Sequence, residues 1–583
     1  MVFAACIVLL AVATFMFFGW GWAFGRLLRL KTEAWPTTVA VGMAAVVFVG
    51  GILNLTRLAY PPALAAVAGI GVLLAIRALW EGVAFERPPA FVAILIAVVV
   101  AFTIATQLPP SIYNFHDDYQ KYFAYPVRMV ETGTVFGSSL SAMGLQALGA
   151  QAFLDGFVVA FFPIFYINGV DAVFGLFLCL ILATQFAKDR AMKLVCVLSV
   201  VFINPQYVNI STLFCGSALI MAMAAVEDPV SLGLLCAALI AMKPIYAVFV
   251  AIYFLTQVFT QAEAPAPPEQ RRWSRRFRLP LAVAIFLSPW VLLHAPHYLA
   301  AFRIHHPVPT PVPGIVEAVR FNIFSLKSLQ YGSTAANYTL LVIAFAICGL
   351  LCWKIKPAVA CCITAVIAFP VFVYVFGPLQ YGYEHALRYY VPVAMGLAPA
   401  IFGLTSQAQR GWIPLLIAVI PLAAFGPSLR NRVHMELHNH SAASYAWIME
   451  DPDYLEYNNG VLKGPERKAV KALQERVPAG EPILAWINTP FYLDYKRNPV
   501  IDIDTAGVAV PWAAIPPARY LIWDYAGFAT MDEDDYEEKA LNRGAGDRRD
   551  SLVTLDFMRR LESMVGRGEV LYNDGQVKVV RLY

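Results

Sequence analysis

Two adjacent carboxylates, Asp117 and Asp118, stand in the run Asn114-Phe-His-Asp-Asp-Tyr-Gln-Lys-Tyr122, directly after a long apolar stretch. Acidic side chains at a membrane boundary are costly to desolvate, so a pair of them serves ion binding, proton transfer or a positively charged transition state. As enzyme groups, one would deprotonate an acceptor hydroxyl while its neighbour orders it or helps hold a divalent cation, Mg or Mn. Like-charge repulsion would lift one of the two pKa values toward a useful range. The bland alternative is a helix N-cap, because Asp before Tyr-Gln-Lys-Tyr122 is good capping chemistry. Residue types alone leave the two readings balanced. His116 beside the pair would be a hydrogen-bonding partner or a ligand, although a lone His is more often structural.

Other acids of the apolar part are few on the side assigned below as outer: Glu131, Asp155, Asp171, Glu317 and Glu384. None sits mid-span, which argues against a proton relay or an ion-coupled transporter. His294, His297, His305 and His306 share a stretch with Pro307, Pro309, Pro311 and Pro313. Their spacing fits no regular metal site, and a Pro-rich lid over 295–335 is the expectation. The run Asp532-Glu-Asp-Asp535 reads as a solvated loop. No Walker loop, GxGxxG, HExxH or GxSxG stands in a persuasive context, which removes nucleotide-driven transport and the common hydrolases.

The elements that must position these residues are membrane spans. Of 583 residues 59% are hydrophobic and 14% charged, the profile of a polytopic membrane protein. Up to Gly426 there are 24 Lys and Arg against 15 Asp and Glu; beyond it, 19 against 24. A lean basic part is thus followed by an acidic, water-soluble tail. The apolar runs predict about fourteen spans. They cover 2–24, 36–56, 60–78, 89–109, 171–187, 191–204, 206–225, 229–242, 244–260, 281–294, 336–353, 357–377, 389–405 and 412–428. All nine cysteines lie in these runs, as small buried hydrophobes would.

Orientation follows from basic loops. Arg271-Arg-Trp-Ser-Arg-Arg-Phe-Arg278 is expected to be a short cytoplasmic loop. Counting outward, Arg26, Arg29 and Lys31, then Lys188, Arg190 and Lys193, then Lys354 and Lys356, fall on the same side. The outer loops 110–170, 295–335 and 378–388 and the whole tail fall opposite. This requires that Gln146–Tyr166 not cross, and its Asp155, Pro163 and aromatic density suit a helix lying in the interface. After the Ala/Pro-rich Gln261–Pro268 linker no further low-complexity tract appears. The tail, 430–583, reads as a small α/β domain. Amphipathic helices are expected over Pro465–Val477 and Ser551–Val565, buried strands at Pro482–Ile487 and Tyr520–Trp523, and a closing hairpin around Asn573-Asp-Gly575.

A long outer loop opening with Asp-Asp, followed by Tyr-rich helical sequence and a Gly, resembles the GT-C superfamily of integral-membrane glycosyltransferases that use polyprenyl-phosphate sugars. The matching run is His116-Asp-Asp-Tyr-Gln-Lys-Tyr122 through Tyr125–Gly133. The segment Gly149–Gly156 through Phe162–Tyr166 is similar to that family's non-crossing helices, and Glu384-His-Ala-Leu-Arg-Tyr-Tyr-Val-Pro392 to the Arg-Tyr-x-x-Pro that opens a late span. The likeness covers most of 89–430, through short motifs, and leaves open whether the spans in 1–88 are an accessory unit.

The resemblance implies a GT-C-like helical module over 89–429, a polyprenyl-phosphate sugar donor, and inverting transfer at the outer leaflet of a bacterial inner membrane. Asp117 or Asp118 would be the base. Arg388 would hold the departing phosphate, a role suited to a fork-shaped permanent cation, against the plainer reading of an ion pair with Glu384. Lys121 and Arg128 are further phosphate-binding candidates, with His116, Tyr119, Glu384 and His385 in support. The acceptor would be an extracytoplasmic glycan, lipid or protein; no nucleic acid is implied. Two rival readings stay open: a flippase or transporter of an amphiphile, and a non-catalytic subunit of envelope-polysaccharide assembly.

Overall fold

Helices begin where proline or a capping acid permits and stop where charge or glycine interrupts the apolar run. Pro36 and Pro61 open two of them, where a missing N–H costs nothing. Asp189 accepts from Met192 N at 3.0 Å, and Asp228 from Ser231 N at 2.8 Å, capping two more. The computed structural model describes residues 2–28, 34–107, 113, 115–137, 141, 143, 147–203, 212–260, 270–303, 335–376, 386–409, 411–439, 461, 465–503, 518–524 and 559–582.

The N-terminal helices are α1 (Val2–Leu27), α2 (Trp35–Leu55), α3 (Pro61–Trp80) and α4 (Ala90–Gln107). A π-helix, Phe115–Phe123, continues into α5 (Ala124–Thr132), and α6 (Ala150–Phe161) follows. Then come α7 (Leu176–Ala183, led by a π-turn from Gly169), α8 (Arg190–Phe202), α9 (Phe214–Ala225), α10 (Pro229–Met242), α11 (Tyr246–Thr260) and α12 (Gln270–Arg303). The last apolar helices are α13 (Ala335–Leu351), α14 (Lys356–Pro370), α15 (Ala386–Ala408) and α16 (Ile413–Ala424), with α17 (Gly426–Asn439) after them.

Among the described residues six helices are long and apolar enough to cross a membrane, and the pair Ile413–Ala424 and Gly426–His434, bent by 47°, would make a seventh. Several other expected spans are apolar helices of 10–17 residues. The chain is therefore a multi-pass membrane protein by composition and helix length. The span expected at 412–428 is broken at its bend. The basic run 271–278 lies in the first turns of α12 rather than in a loop. Of the lid expected over 295–335, residues 295–303 are part of α12, and 304–334 lie outside the described residues. His294 is fully buried in α12, its Nε2 2.8 Å from the Leu148 carbonyl, while His305 and His306 lie outside the described residues.

Small residues let the first helices touch backbone to backbone. A Cβ at Gly19 would overlap the Gly71 carbonyl of α3, and one at Gly21 the Thr38 carbonyl of α2. Trp20 Nε1 donates to Val67 O at 2.9 Å, and Trp290 Nε1 to Val47 O at 3.1 Å, tying α12 to α2. The helices of 1–88 belong to the same apolar core as the rest.

Contacts sort the bundle into two ends. At one, Arg26 pairs with Glu81 (2.5 Å), Thr37 Oγ1 donates to Gln185 (2.9 Å) and Gln407 Nε2 to Phe186 O (2.7 Å). Arg26 is thus at this end, as are Lys188 and Arg190, which follow Phe186 closely in the chain. At the other, Ala59 N donates to Gly133 O (3.0 Å) and Val135 N to Asn54 Oδ1 (2.8 Å), which moors the segment after the acid pair.

Asp171, ahead of α7, accepts from Leu213 N, Phe214 N and Cys215 N at 3.0, 3.1 and 2.7 Å. It supplies α9, which has no cap of its own, with a borrowed one. Asp171→Ala should cost on the order of 2–3 kcal/mol, read as a lowered unfolding midpoint in detergent. Asp171→Asn, whose amide oxygen still accepts, should recover part of it.

The tail forms a five-stranded sheet ordered β2-β1-β3-β5-β4. Its strands are β1 (Ile483–Trp486), β2 (Val500–Asp502), β3 (Tyr520–Asp524), β4 (Glu569–Asn573) and β5 (Val577–Arg581). β1 pairs in parallel with β2 and β3; β5 runs antiparallel to both β3 and β4. Alternation along the strands makes two faces. Leu484, Trp486, Leu521, Trp523 and Val580 pack with Leu561 of a helix over 559–567. Ile483, Ala485, Ile522 and Val579 pack with Val470 of α18 (Pro465–Glu475) and, beyond it, with the acid-bearing segment.

Candidate functional site

The acid pair lies inside the π-helix, not before it. A cap must precede the first helical residue, and Phe115 is that residue, so the capping alternative is set aside. Single π-turns interrupt the regular ladder and recur at functional sites. Asp118 is 3% exposed, and Lys121 is also buried one turn on. The side chains of His116, Asp117 and Arg388, and all of Glu384 and His385, lie outside the described residues. Arg388 is placed by its backbone alone, in the first turn of α15.

The π-helix and α5 are wedged between the bundle and the tail. Tyr119 and Phe123 meet Phe491 with ring centroids 5.5 and 5.1 Å apart, and Tyr113 joins them edge-on to Phe123 at 4.9 Å. Tyr119, expected as a supporting polar residue, is a core aromatic of this junction. Gln120 Nε2 donates to Asn488 Oδ1 at 3.4 Å, and Asn488 Nδ2 to Asp524 Oδ2 at 3.1 Å. The acid run therefore abuts the carboxyl ends of β1 and β3, where the strand order changes direction. That is the edge at which open α/β sheets bind ligands.

Arg128 is placed differently from the expectation. Its guanidinium is engaged by Asp502 at the end of β2, donates to Val500 O at 3.1 Å, and stacks over the Tyr495 ring at 4.9 Å. Both partners of the ion pair are 3% exposed, and Tyr495 OH donates to Asp502 Oδ2 at 3.2 Å. Arg128 is thus a clasp between α5 and the tail, not a group turned toward a lipid phosphate. Nothing near Arg128 in sequence could have signalled a partner 374 residues away.

Glu131 closes the same junction, accepting from Tyr495 N at 2.8 Å. Burial, then the nearby Asp494 charge, raise its carboxyl above the ordinary 4.5, against the pull of that hydrogen bond. A raised native pKa means that its contribution is full below pH 4.5 and is lost as the pH rises through the native value. The unfolding midpoint of the wild type should fall relative to Glu131→Gln over that rise. Parallel curves would show that the charge on Glu131 is immaterial.

Behind the π-helix a narrow cleft of about 20 Å³, room for about one water, is lined by Tyr122, Tyr125, Gln151, Asp155, Thr212 and Lys243. Asp155 sits on α6, the helix expected not to cross, which is short at 12 residues. Burial pushes its carboxyl well above the usual range, and the charge of Asp171 adds to this. The phenol of Tyr113 is raised first by burial, then by the charge of Asp118 and, more weakly, of Asp155, and its hydroxyl donates to Phe165 O at 2.6 Å. Neither Gln151 nor Lys243 stands out in the sequence. The faint signal was a carboxylate and an amide four residues apart on an otherwise apolar helix.

A divalent cation would need three or more ligands gathered together. Among the described residues no group of three His, Cys, Asp or Glu side chains is so placed. No protein-family model matches the chain, and no curated protein matches it.

Proposed function

We propose that the protein is a glycosyltransferase of the GT-C kind, moving a sugar from a polyprenyl-phosphate donor to an extracytoplasmic acceptor with inversion. One observation carries this reading: a buried carboxylate, Asp118, stands in a π-helix held between an apolar helix bundle and a water-soluble domain. A lipid-borne donor has its phosphate at such a boundary, and a water-borne acceptor approaches from the domain side. In this reading the membrane is a bacterial inner membrane, and the end bearing the tail faces outward.

The acceptor hydroxyl would give its proton to Asp117 or Asp118 as its oxygen attacks the anomeric carbon. The bond from that carbon to the phosphate oxygen breaks, and polyprenyl phosphate leaves with the electron pair. Arg388 and Lys121 would neutralise it. Arg128 takes no part in this step, being committed to Asp502.

The test uses purified full-length protein and a pool of radiolabelled polyprenyl-phosphate sugars. Transfer by the wild type, lost in Asp117→Asn or Asp118→Asn with the fold intact, supports the reading. Full transfer in both variants would sink the base assignment. Counterflow of labelled lipid without transfer would replace the enzyme by a transporter.

A further inference from the structure

Four of the nine cysteines, Cys348, Cys352, Cys361 and Cys362, fall within one helical hairpin. Cys348 stands on α13, Cys352 in the turn that follows it, and Cys361 and Cys362 on α14. A Cβ at Gly349 would lie 3.2 Å from Cys362 Cβ and 3.8 Å from its Sγ, so the two helices touch there. Cys352 N donates to Cys348 O at 2.9 Å, which carries the helical path one turn beyond Gly349. That brings the Cys352 and Cys362 thiols together, hydrogen-bonded to each other.

A small buried hydrophobe needs no such meeting. Cys179, Cys196 and Cys215 each turn the sulfur to a backbone carbonyl, at 3.1, 3.4 and 3.7 Å. Cys352 does the same to Cys348 O at 2.8 Å, but its sulfur also faces Cys362 and the hydroxyl of Thr405, 3.9 Å away on α15. Hydrogen bonds directed at a sulfur support charge on it, which makes Cys352 the attacking member of the pair. The four thiols do not gather as metal ligands, since no three converge among the described residues. What a facing pair can do is give up two electrons and join.

The pair stands at the end of the bundle away from the tail. Gln409 Nε2 donates to Leu351 O at 3.1 Å, two residues on from the Gln407 that bonds Phe186 O there. Trp353 and Lys354 are exposed, so the buried Cys352 is one residue from the surface of the turn. A small neutral oxidant reaches such a position more readily than a bulky or charged one.

We propose that Cys352 and Cys362 are a peroxide-sensitive dithiol, which hydrogen peroxide converts to a disulfide joining the α13–α14 turn to α14. The Cys352 sulfur attacks one peroxide oxygen, the O–O bond breaks, and the departing hydroxide leaves as water with the Cys352 proton. The Cys362 sulfur then attacks the sulfenic sulfur. The S–S bond forms, the S–O bond breaks, and a second water leaves with the Cys362 proton. Two thiols are oxidised and one peroxide is reduced, so the balance closes without a further reactant. The site stands independently of the transferase reading.

The experiment treats reduced, purified full-length protein with hydrogen peroxide, alkylates the remaining thiols in denaturant, and maps them by peptide mass spectrometry. Cys352 and Cys362 should leave the alkylated pool together and return to it after dithiothreitol. Lys354 lies between them, so trypsin frees two peptides that only the disulfide joins. Cys236, also buried, on α10, should stay alkylated throughout. Cys352→Ser should keep Cys362 reduced, and Cys362→Ser should let Cys352 pass to the sulfinic acid, which dithiothreitol does not reverse. Cys348→Ser and Cys361→Ser should form the bridge as the wild type does. Thermal unfolding checks each variant, and alanine replaces serine where serine does not fold. Cys352 and Cys362 as inert as Cys236, a bridge to Cys348 or Cys361 instead, or loss of one thiol without the other in the wild type overturns the proposal.

Discussion

Asp118→Asn should leave the protein folded, with its tail still docked, and slow the proposed sugar transfer by ~10²–10⁴-fold, the usual contribution of a positioned general base. The argument is one of shape and charge. Asn is nearly isosteric with Asp, so the packing of a side chain 3% exposed survives the change, while the proton acceptor is gone. Tyr119, Phe123 and Phe491 hold the π-helix against the tail from its neighbouring positions and do not depend on the carboxylate. Rates of transfer and unfolding midpoints measured on the same preparations separate the two roles. A rate loss with an unmoved midpoint marks a base; a fallen midpoint with a proportionate loss marks a structural carboxylate. Asp117→Asn in parallel says which member of the pair accepts the proton.

Arg128→Ala should be the most destabilising single change at the junction, costing about 3–5 kcal/mol. Removing the guanidinium leaves Asp502 charged and buried, and also strips a donor from Val500 O and a cation from the Tyr495 ring. Gly137 packs against the same guanidinium so closely that a Cβ there would overlap it, which shows how little room the site has for rearrangement. The pairing energy itself comes from a double-mutant cycle with Asp502→Asn, where non-additivity should exceed ~1 kcal/mol. Replacing both partners by apolar residues of similar volume should recover much of the loss. Limited proteolysis of the tail, faster in Arg128→Ala and slow again in the apolar pair, gives an independent readout. Equal proteolysis in all three would mean that the aromatic contacts alone hold the domain.

The clasp also bears on how the proposed site is built. α5 continues the π-helix without a break, so whatever fixes Arg128 fixes the pitch and rotation of the residues around Asp118. An Arg128 variant that folds should therefore show slower transfer with little change in apparent donor affinity, as expected of a positioning residue.

Much of the fold was legible because it rests on local signals. Apolar runs of sufficient length gave α1, α2 and α3, and the cysteines within them are buried as their surroundings demanded. In the tail, Pro482–Ile487 and Tyr520–Trp523 hold β1 and β3. Asn573-Asp-Gly575 forms the hairpin turn, with Gly575 at a φ of +89° and Asp574 Oδ1 accepting from Gln576 N and Val577 N. β2 leaves no such signal, because its three residues, Val500–Asp502, are too short for any alternation to register. The basic run at 271–278 reads as a loop but is helical, because charge density is a signal of side, not of secondary structure.

By itself the sequence determined that this is a multi-pass helical membrane protein with an acidic α/β tail. It also determined that a pair of carboxylates stands where an apolar run ends. These are matters of composition, periodicity and run length, which each segment carries within itself. Only the tertiary structure decided that the tail closes over the acid-bearing helix, that Arg128 is spent on Asp502, and that Asp155 opens onto a cleft. Such pairings join residues up to 374 positions apart. A buried ion pair leaves no local pattern, because its energy depends on burial and on a partner that only folding supplies.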